Sequence, residues 1–498
     1  MISNYLLTLL IFLPMMAVPV ILFLPANAHK AIRGTTVFFT AVQLALTIYL
    51  LAIYNTATAD FQFIEKCSWI PAFNIEYHLG VDGLSILMVL LTPLICFVGI
   101  FASWNITKGV KGYFILYQIL NTGMMGVFCA LDFFLFYVFW EVTLLPMYFL
   151  IGIWGGPRKE YAAIKFFLYT LFGSVLMLLV MLGLYFSTTP HTFSIPELIK
   201  VSSTFKGTAW FIAFIGLYIA FAIKVPAFPF HTWLPDAHTE APTAISVILA
   251  GILLKMGVYG IIRISLPILP DAGHNFSYIM ALIGVVNIVY GALCTMAQKD
   301  LKRMIAYSSI SHMGFCLLGI AAASFPGVAS DSAQPAMVGA VLQMFNHGCI
   351  SGMLFLIAGV IYDRAHHRDI NGFGGLASRM PLYAGMTTFA FFASMGLPGL
   401  SGFISEIMVF LGGFKVYQTL TIISVSGVVL TAGYFLWAMQ RMFLGPLNEK
   451  YKELPEINFR EMFTLVALGW IVLLLGVYPM PAINLISESI KNLITLIK

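Results

Sequence analysis

Charged residues are scarce in this sequence. They make up 9% of its 498 residues, whereas a soluble domain carries about 25%. A water-soluble enzyme is therefore excluded, because too few polar side chains are present to cover a surface that faces water. The net charge of +5 is also small, so nothing indicates a nucleic-acid partner.

Cysteines are few and widely spaced. The sequence has six of them, and no two lie within three residues of each other. Zinc sites, iron–sulfur clusters and CxxC redox motifs all need closer spacing. We therefore expect no disulfide framework, no metal site and no redox centre on this chain.

Hydrophobic runs are abundant. Hydrophobic residues form 60% of the chain, and a membrane-spanning helix needs about 20 apolar residues. Fourteen runs predict an all-α polytopic membrane protein with about 14 transmembrane helices: 4–24, 32–54, 83–104, 113–131, 133–153, 162–186, 208–230, 243–269, 275–297, 301–322, 334–362, 381–412, 419–444 and 462–479. We expect the first run to be retained, because it is longer than the apolar core of a signal peptide and no Lys or Arg precedes it.

The loops between these runs differ in positive charge. Loops on one side carry seventeen Lys and Arg residues, those on the other side carry six, and three lie inside apolar runs. Positively charged loops stay on the cytoplasmic side of a membrane. The distribution therefore predicts that both termini lie outside, which requires an even number of spans.

Proline and glycine interrupt two of the runs. The seventh contains Pro226 and Pro229, and the twelfth contains Pro398 and Gly399. Because proline removes an intrahelical hydrogen bond, we predict that helices 7 and 12 are discontinuous. The two runs are five apart and so cross the membrane in opposite directions, as inverted repeats require. Such paired breaks point to a transport site, although two ordinary proline kinks are the alternative.

Four charged residues lie deep inside apolar runs: Glu141, Lys224, Lys255 and Glu406. A charge at the centre of a bilayer costs about 2.5–3.5 kcal/mol, so these side chains should face one another or buried water. Glu141 opposite Lys224 is the natural ion pair. A plainer role is open for each residue. Glu141 could cap a helix, and the ammonium of Lys255 could extend to the membrane interface. Lys224 could bond the carbonyls freed by the helix break, and Glu406 could lie nearer the membrane surface, because the break at Pro398 leaves its depth undefined.

His312 and His347 extend this set of polar residues. A lone histidine on a helix is often a hydrogen-bonded core residue, but its ability to change charge near neutral pH also suits proton relay. The polar stretch after the seventh run, FHTWLPDAHTEAPT (residues 230–243), holds two more histidines, His231 and His238. We expect those two to order the loop.

These features together resemble the antiporter-like membrane subunits shared by respiratory NADH:quinone oxidoreductase (complex I) and multisubunit cation/proton antiporters. The resemblance covers nearly the whole chain and is carried by Glu141, Lys224, Lys255, the stretch 230–243 and the SSISHMG segment (308–314). Glu406 favours the subunit type of complex I whose twelfth helix carries glutamate instead of lysine.

The resemblance implies a fold of fourteen helices in which helices 4–8 and 9–13 form inverted repeats. The corresponding segments are an N-terminal part (1–112), the two repeats (113–270 and 271–445) and a C-terminal loop with the last helix (446–498). It also implies one proton channel, with Glu141 and Lys224 as the controlling pair, Lys255 as the central relay, His312 and His347 as connecting groups, and Glu406 at the exit.

The resemblance also implies location and partners. The chain would lie in the bacterial inner membrane between neighbouring antiporter-like subunits on both sides. NADH, flavin, iron–sulfur clusters and quinone would be bound by other subunits, and no GxGxxG motif opens a nucleotide-binding unit here. A subunit of a sodium/proton antiporter without a redox partner is the competing interpretation. A stand-alone permease fits less well, because the polar residues form a line instead of a pocket.

Overall fold

Helices make up most of the structure. The computed structural model describes residues 5–498. Within that part, eleven helices are long and apolar enough to cross a membrane: Leu6–Phe23, His29–Ile53, Gly83–Ala102, Phe133–Trp154, Lys159–Phe186, Thr243–Ile268, Pro270–Met296, Leu301–Ala323, Ser330–Ala365, Gln418–Phe443 and Phe459–Val477. The chain is therefore a mostly helical, multi-span membrane protein. We number helices by the predicted runs that they occupy.

The other predicted runs also contain helices. Helix 4 is Val110–Cys129. The seventh run holds Thr208–Lys224, and a short helix, Trp233–Glu240, follows that run. The twelfth run is divided into Pro381–Ser394 and Ser401–Val416. The helices of the seventh and twelfth runs are short because breaks in the helical backbone interrupt both runs.

The breaks contain the residues that the sequence analysis singled out. The first helical piece of the seventh run ends at Lys224, directly before the irregular segment with Pro226 and Pro229. Pro398 and Gly399 lie in the second break, where Gly396 (φ +72°) and Gly399 (φ +93°) adopt left-handed backbone conformations. Residues with a Cβ rarely adopt such conformations, so the glycines allow the chain to turn between the two pieces of helix 12.

One part of the chain departs from the predicted all-α class. Residues 62–81, between the second and third runs, form an antiparallel hairpin of Gln62–Ile70 and Ile75–Val81. Its Glu65 is buried and accepts hydrogen bonds from the backbone N–H groups of Leu7 (2.6 Å) and Thr8 (3.1 Å). A carboxylate stabilises a helix N-terminus by bonding its free N–H groups, so the hairpin caps helix 1.

The C-terminal segment 446–498 contains one helix more than predicted. After helix 14 (Phe459–Val477), a further helix spans Met480–Leu496 and packs on helices 3 and 11. Its buried residues recur at helical spacing, as in Ala482, Ile486 and Ile490. This amphipathic helix was missed because it has no continuous apolar run. A further short helix, Ile195–Lys200, lies between helices 6 and 7.

Candidate functional site

Lys224 lies at the end of the first piece of helix 7 and is almost fully buried, with 1% of its surface exposed. Its ammonium lies 4.5 Å from the ring centre of Trp140 and 3.4 Å from the hydroxyl of Thr143, both on helix 5. A cation over an aromatic face is attracted by the ring's electron density. Helix 5 therefore holds this charge with a ring and a hydroxyl.

Glu141 lies between these two residues on helix 5. Its Oε1 is buried and has no hydrogen-bond partner in the described chain, so its direct ion pair with Lys224 stays a prediction. The capping role can be discarded, because Asp132 is the N-cap of helix 5 and accepts the N–H groups of Phe134 and Leu135. Since helix 5 begins directly after Asp132, Glu141 lies more than two turns inside the helix. Burial raises the pKa of the capping Asp132 to about 6.

Lys255 lies in the fully buried helix 8, Thr243–Ile268. Its ammonium donates to the Ala250 carbonyl and lies 2.7 Å from Nδ1 of His347 on helix 11. Wider π-helical turns occur on both sides of it, at Leu249–Leu253 and Ile261–Ser265. Such turns leave backbone groups free for other partners and are frequent at functional sites. Because Lys255 is fully buried and its ammonium contacts groups inside the protein, the alternative role, in which its ammonium extends to the membrane interface, is ruled out.

His312 on helix 10 connects His347 to helix 12. The centres of the two imidazole rings are 5.8 Å apart. Nδ1 of His312 lies 2.7 Å from the Ser308 carbonyl, and Nε2 lies 2.8 Å from the Ser394 carbonyl at the end of the first piece of helix 12. Carbonyls only accept hydrogen bonds, and a neutral imidazole has a single N–H. Both contacts are therefore hydrogen bonds only when the ring carries two protons.

Glu406 completes the line on the second piece of helix 12. It is buried, and its Oε1 lies 3.8 Å from Nε2 of His312. A Cβ added to Gly396, in the break, would lie 2.6 Å from Oε2. The absence of a side chain at Gly396 thus leaves room for this carboxylate.

A small cavity lies among these groups. Its volume is about 10 Å³, and it is lined by His312, His347, Glu406, Gln343 and Ser308, among others. This is the space that one water needs, provided that several polar partners are present. A single water therefore fits between the two histidines and the carboxylate.

Sequence reasoning missed one buried charge pair. Arg263, at the far end of helix 8, pairs with Asp82, and both side chains are 6% exposed. Arg263 also donates through Nε to the hydroxyl of Tyr259 (3.1 Å). Asp82 caps helix 3 by accepting the N–H groups of Leu84 and Ser85. A cation inside an apolar run was the available signal, the same one that marked Lys224 and Lys255.

His231 and His238 lie after the first break, as expected from the sequence. His238 is fully buried and stacks on Phe355 with the ring centres 4.4 Å apart. His231 contacts Tyr290 of helix 9 edge to face at 5.4 Å. The same segment carries Asp236, whose carboxylate accepts a hydrogen bond from Lys165 at 2.7 Å. These contacts tie the segment to helices 6, 9 and 11.

The fold and this interior define a class, that of polytopic membrane proteins with ionisable side chains aligned between helices. A family described as "NADH:quinone oxidoreductase/Mrp antiporter, TM" matches residues 130–431. NADH-quinone oxidoreductase subunit M of Rhodobacter capsulatus is 42% identical over 503 aligned positions, which cover 98% of this chain and 96% of that protein.

Solved structures show the same likeness. A chain of respiratory complex I from Thermus thermophilus has a TM-score of 0.88 at 27% identity, over 99% of this chain and 100% of that one. A chain of the Mrp complex from Dietzia sp. DQ12-45-1b has a TM-score of 0.85 at 20% identity over 100% and 99%, which shows a shared fold. The chain belongs to the family of antiporter-like membrane subunits. The resemblance drawn from the sequence is confirmed, and the type of complex I subunit that Glu406 favoured corresponds to subunit M, the name of the Rhodobacter capsulatus relative.

Proposed function

We propose that the chain is the proton-translocating, M-type membrane subunit of an NADH:quinone oxidoreductase. The observation that carries this proposal is the line of buried groups Lys255, His347, His312 and Glu406, in a chain that is 42% identical to a subunit M over nearly its full length. Its partners are other membrane subunits, with antiporter-like neighbours on both sides. NADH, flavin, iron–sulfur clusters and quinone are bound elsewhere, so the enzyme is the whole assembly.

The proposed topology has fourteen membrane-spanning helices, with helices 4–8 and 9–13 as inverted repeats and both termini outside the bacterial inner membrane. Two observations support it. The interrupted helices 7 and 12 are five apart, and lysine and arginine alternate between rich and poor loops along the chain. Proline and glycine interruptions at matching positions of two halves are typical of transport proteins.

Transport begins, in this proposal, at Glu141 and Lys224. The carboxylate stabilises the charged form of the lysine. When a neighbouring subunit draws Glu141 away, Lys224 keeps only its contacts with Trp140 and Thr143. Those contacts balance the charge less well, so the ammonium loses a proton in the direction of Lys255.

From Lys255 the proton passes along the line of histidines. The ammonium of Lys255 faces Nδ1 of His347 at 2.7 Å, which accepts the proton. The water-sized cavity and His312 lead to Glu406. His312 stabilises an arriving proton, because two carbonyls accept from its doubly protonated ring.

The energies involved are of similar size. Moving one charge across the membrane stores about 2.3 kcal/mol per 100 mV. Separating the members of a buried ion pair costs about 3–5 kcal/mol. One rearrangement of the Glu141–Lys224 pair therefore matches the work of moving one proton against a respiratory membrane potential.

The test is the Lys224→Ala variant in the assembled complex, reconstituted into liposomes. We expect proton translocation through this chain to be lost while electron transfer from NADH to quinone is partly retained, with a lower number of protons per NADH measured by a pH-sensitive dye. Lys415→Ala, which removes a half-exposed lysine paired with Asp331, is the matched control. An unchanged number of protons per NADH in the Lys224 variant would refute the proposal.

A sodium/proton antiporter subunit is the second candidate, since the Mrp chain shares the fold. The two functions differ in what accompanies the chain. Gentle extraction of a tagged chain from native membranes should yield a particle that oxidises NADH with a quinone. A particle of small membrane subunits that exchanges Na⁺ for H⁺ would establish the second candidate instead.

A further inference from the structure

One side chain of helix 9 bonds across the break in helix 7. Asn287 is fully buried. Its Oδ1 accepts a hydrogen bond from the Phe228 N–H at 2.7 Å, and its Nδ2 donates to the Pro226 carbonyl at 3.0 Å. A single amide thus satisfies both a donor and an acceptor in the segment between the two prolines.

The backbone of this segment has few other partners. Pro226 and Pro229 have no N–H groups. Ala227 pairs both of its backbone groups, because its N–H donates to the Ala222 carbonyl and its carbonyl accepts from the Phe230 N–H, each at 2.7 Å. The Ile223 carbonyl, just before the segment, accepts from the indole of Trp233 at 2.8 Å. Buried backbone groups must be paired, and an asparagine side chain is suited to this position because it both donates and accepts.

The same face of helix 9 makes a second contact with the segment. Tyr290, one turn after Asn287, packs edge to face on Phe228 at 5.5 Å. Helix 8 closes the opposite side, since a Cβ on Gly257 would lie 2.9 Å from the Val225 nitrogen and 3.1 Å from the Lys224 Cβ. The end of helix 7 is therefore held between helices 8 and 9.

We propose that Asn287 is a positioning residue for proton translocation. By fixing the Pro226–Phe228 segment, it sets where helix 7 ends and so holds the Lys224 ammonium over Trp140 and beside Thr143. This inference rests on the proposed function of Lys224. Asn287 belongs to helix 9, the first helix of the proposed second repeat. A residue of the second repeat would therefore position Lys224, which belongs to the first repeat.

The test compares variants of the assembled complex in liposomes by two readouts: the amount of complex and the number of protons per NADH. Asn287→Ala should lower protons per NADH at least half as far as Lys224→Ala does, with assembly retained. Asn287→Asp keeps the shape and the acceptor for the Phe228 N–H, but it replaces the donor to Pro226 with an oxygen that cannot donate when ionised, so protons per NADH should also drop. It also provides a measurement if the alanine variant fails to assemble.

Asn121→Ala is the matched control. Asn121 is also buried and bonds Gln43 at 2.8 Å, away from the break, so this variant should keep the wild-type number of protons per NADH. The double variant of Asn287 and Lys224 should fall no further than Lys224→Ala alone, because both changes act through one group. The inference is overturned if both Asn287 variants keep wild-type stoichiometry, or if the double variant falls below the lysine variant. If Lys224→Ala itself has no effect, the proposed function fails instead.

Discussion

Replacing Asp82 with Asn should destabilise the contact between helix 8, helix 3 and the C-terminal helix Met480–Leu496. The change removes the charge that balances Arg263, while Asn still caps helix 3 by accepting the N–H groups of Leu84 and Ser85. Both partners of the ion pair are 6% exposed. Removing one member of such a pair costs about 3–5 kcal/mol, because the remaining charge stays buried without a partner.

This free energy can be measured at Ser489. Its hydroxyl accepts the Gly83 N–H at 2.8 Å, and it is buried between the C-terminal helix and helix 3. A Ser489→Cys probe, with the exposed Cys67 changed to Ser, reports each opening of this contact by its rate of reaction with a maleimide in the purified complex. A cost of about 3–5 kcal/mol corresponds to an increase of roughly 150- to 5,000-fold in that rate.

A double variant separates the charge from the packing. Arg263→Met together with Asp82→Asn leaves no charge unpaired, so its labelling rate should return to within about tenfold of the wild-type rate. Labelling of Asp82→Asn within threefold of wild type would refute the reasoning. A double variant as labile as the single one would show that packing, and not the buried charge, sets the cost.

Two further outcomes follow from close contacts. In Gly396→Ala, the new Cβ would lie 2.6 Å from Oε2 of Glu406 at a φ of +72°, so the carboxylate should move away from His312 and the number of protons per NADH should fall. The control Gly433→Ala, with no atom within 4 Å of its new Cβ, should leave that number unchanged. A normal number for Gly396→Ala would contradict the proposed role of Glu406. In Glu65→Gln, the loss of the charged cap of helix 1 should cost about 1 kcal/mol, seen as about fivefold faster hydrogen exchange at the Leu7 and Thr8 amides; unchanged exchange would mean that the cap does not stabilise this end.

The buried charges could be predicted from the sequence because charged residues are costly, and therefore rare, inside membrane-spanning runs. Lys224, Lys255 and Glu406 stand out in apolar runs, and the structure buries all three. The prolines that mark the break in helix 7 act locally, since each removes its own N–H. Arg263 gave the same signal as the two lysines, but its partner Asp82 lies 181 residues away, in a loop that carried no mark of its own.

Other parts of the structure depend on distant packing. Nothing near Asn287 in the sequence shows that its amide bonds Pro226 and Phe228, because that pairing depends on how helix 9 lies against the break. The hairpin was missed for a related reason: its Glu65 is explained by the start of helix 1, 58 residues earlier. Local patterns therefore identify which groups are buried, and tertiary packing decides what they touch.

The small cavity beside Glu406 has a consequence for the resting membrane. A respiratory membrane must hold its voltage, and each proton that returned freely would dissipate about 2.3 kcal/mol per 100 mV. A continuous file of water would conduct protons in both directions, but about 10 Å³ admits a single molecule between His347 and Glu406. In the proposed function, this small space places the histidines and the carboxylate close together but is too narrow for a continuous file of water. Proton movement past Glu406 would then require the interior to open and admit more water.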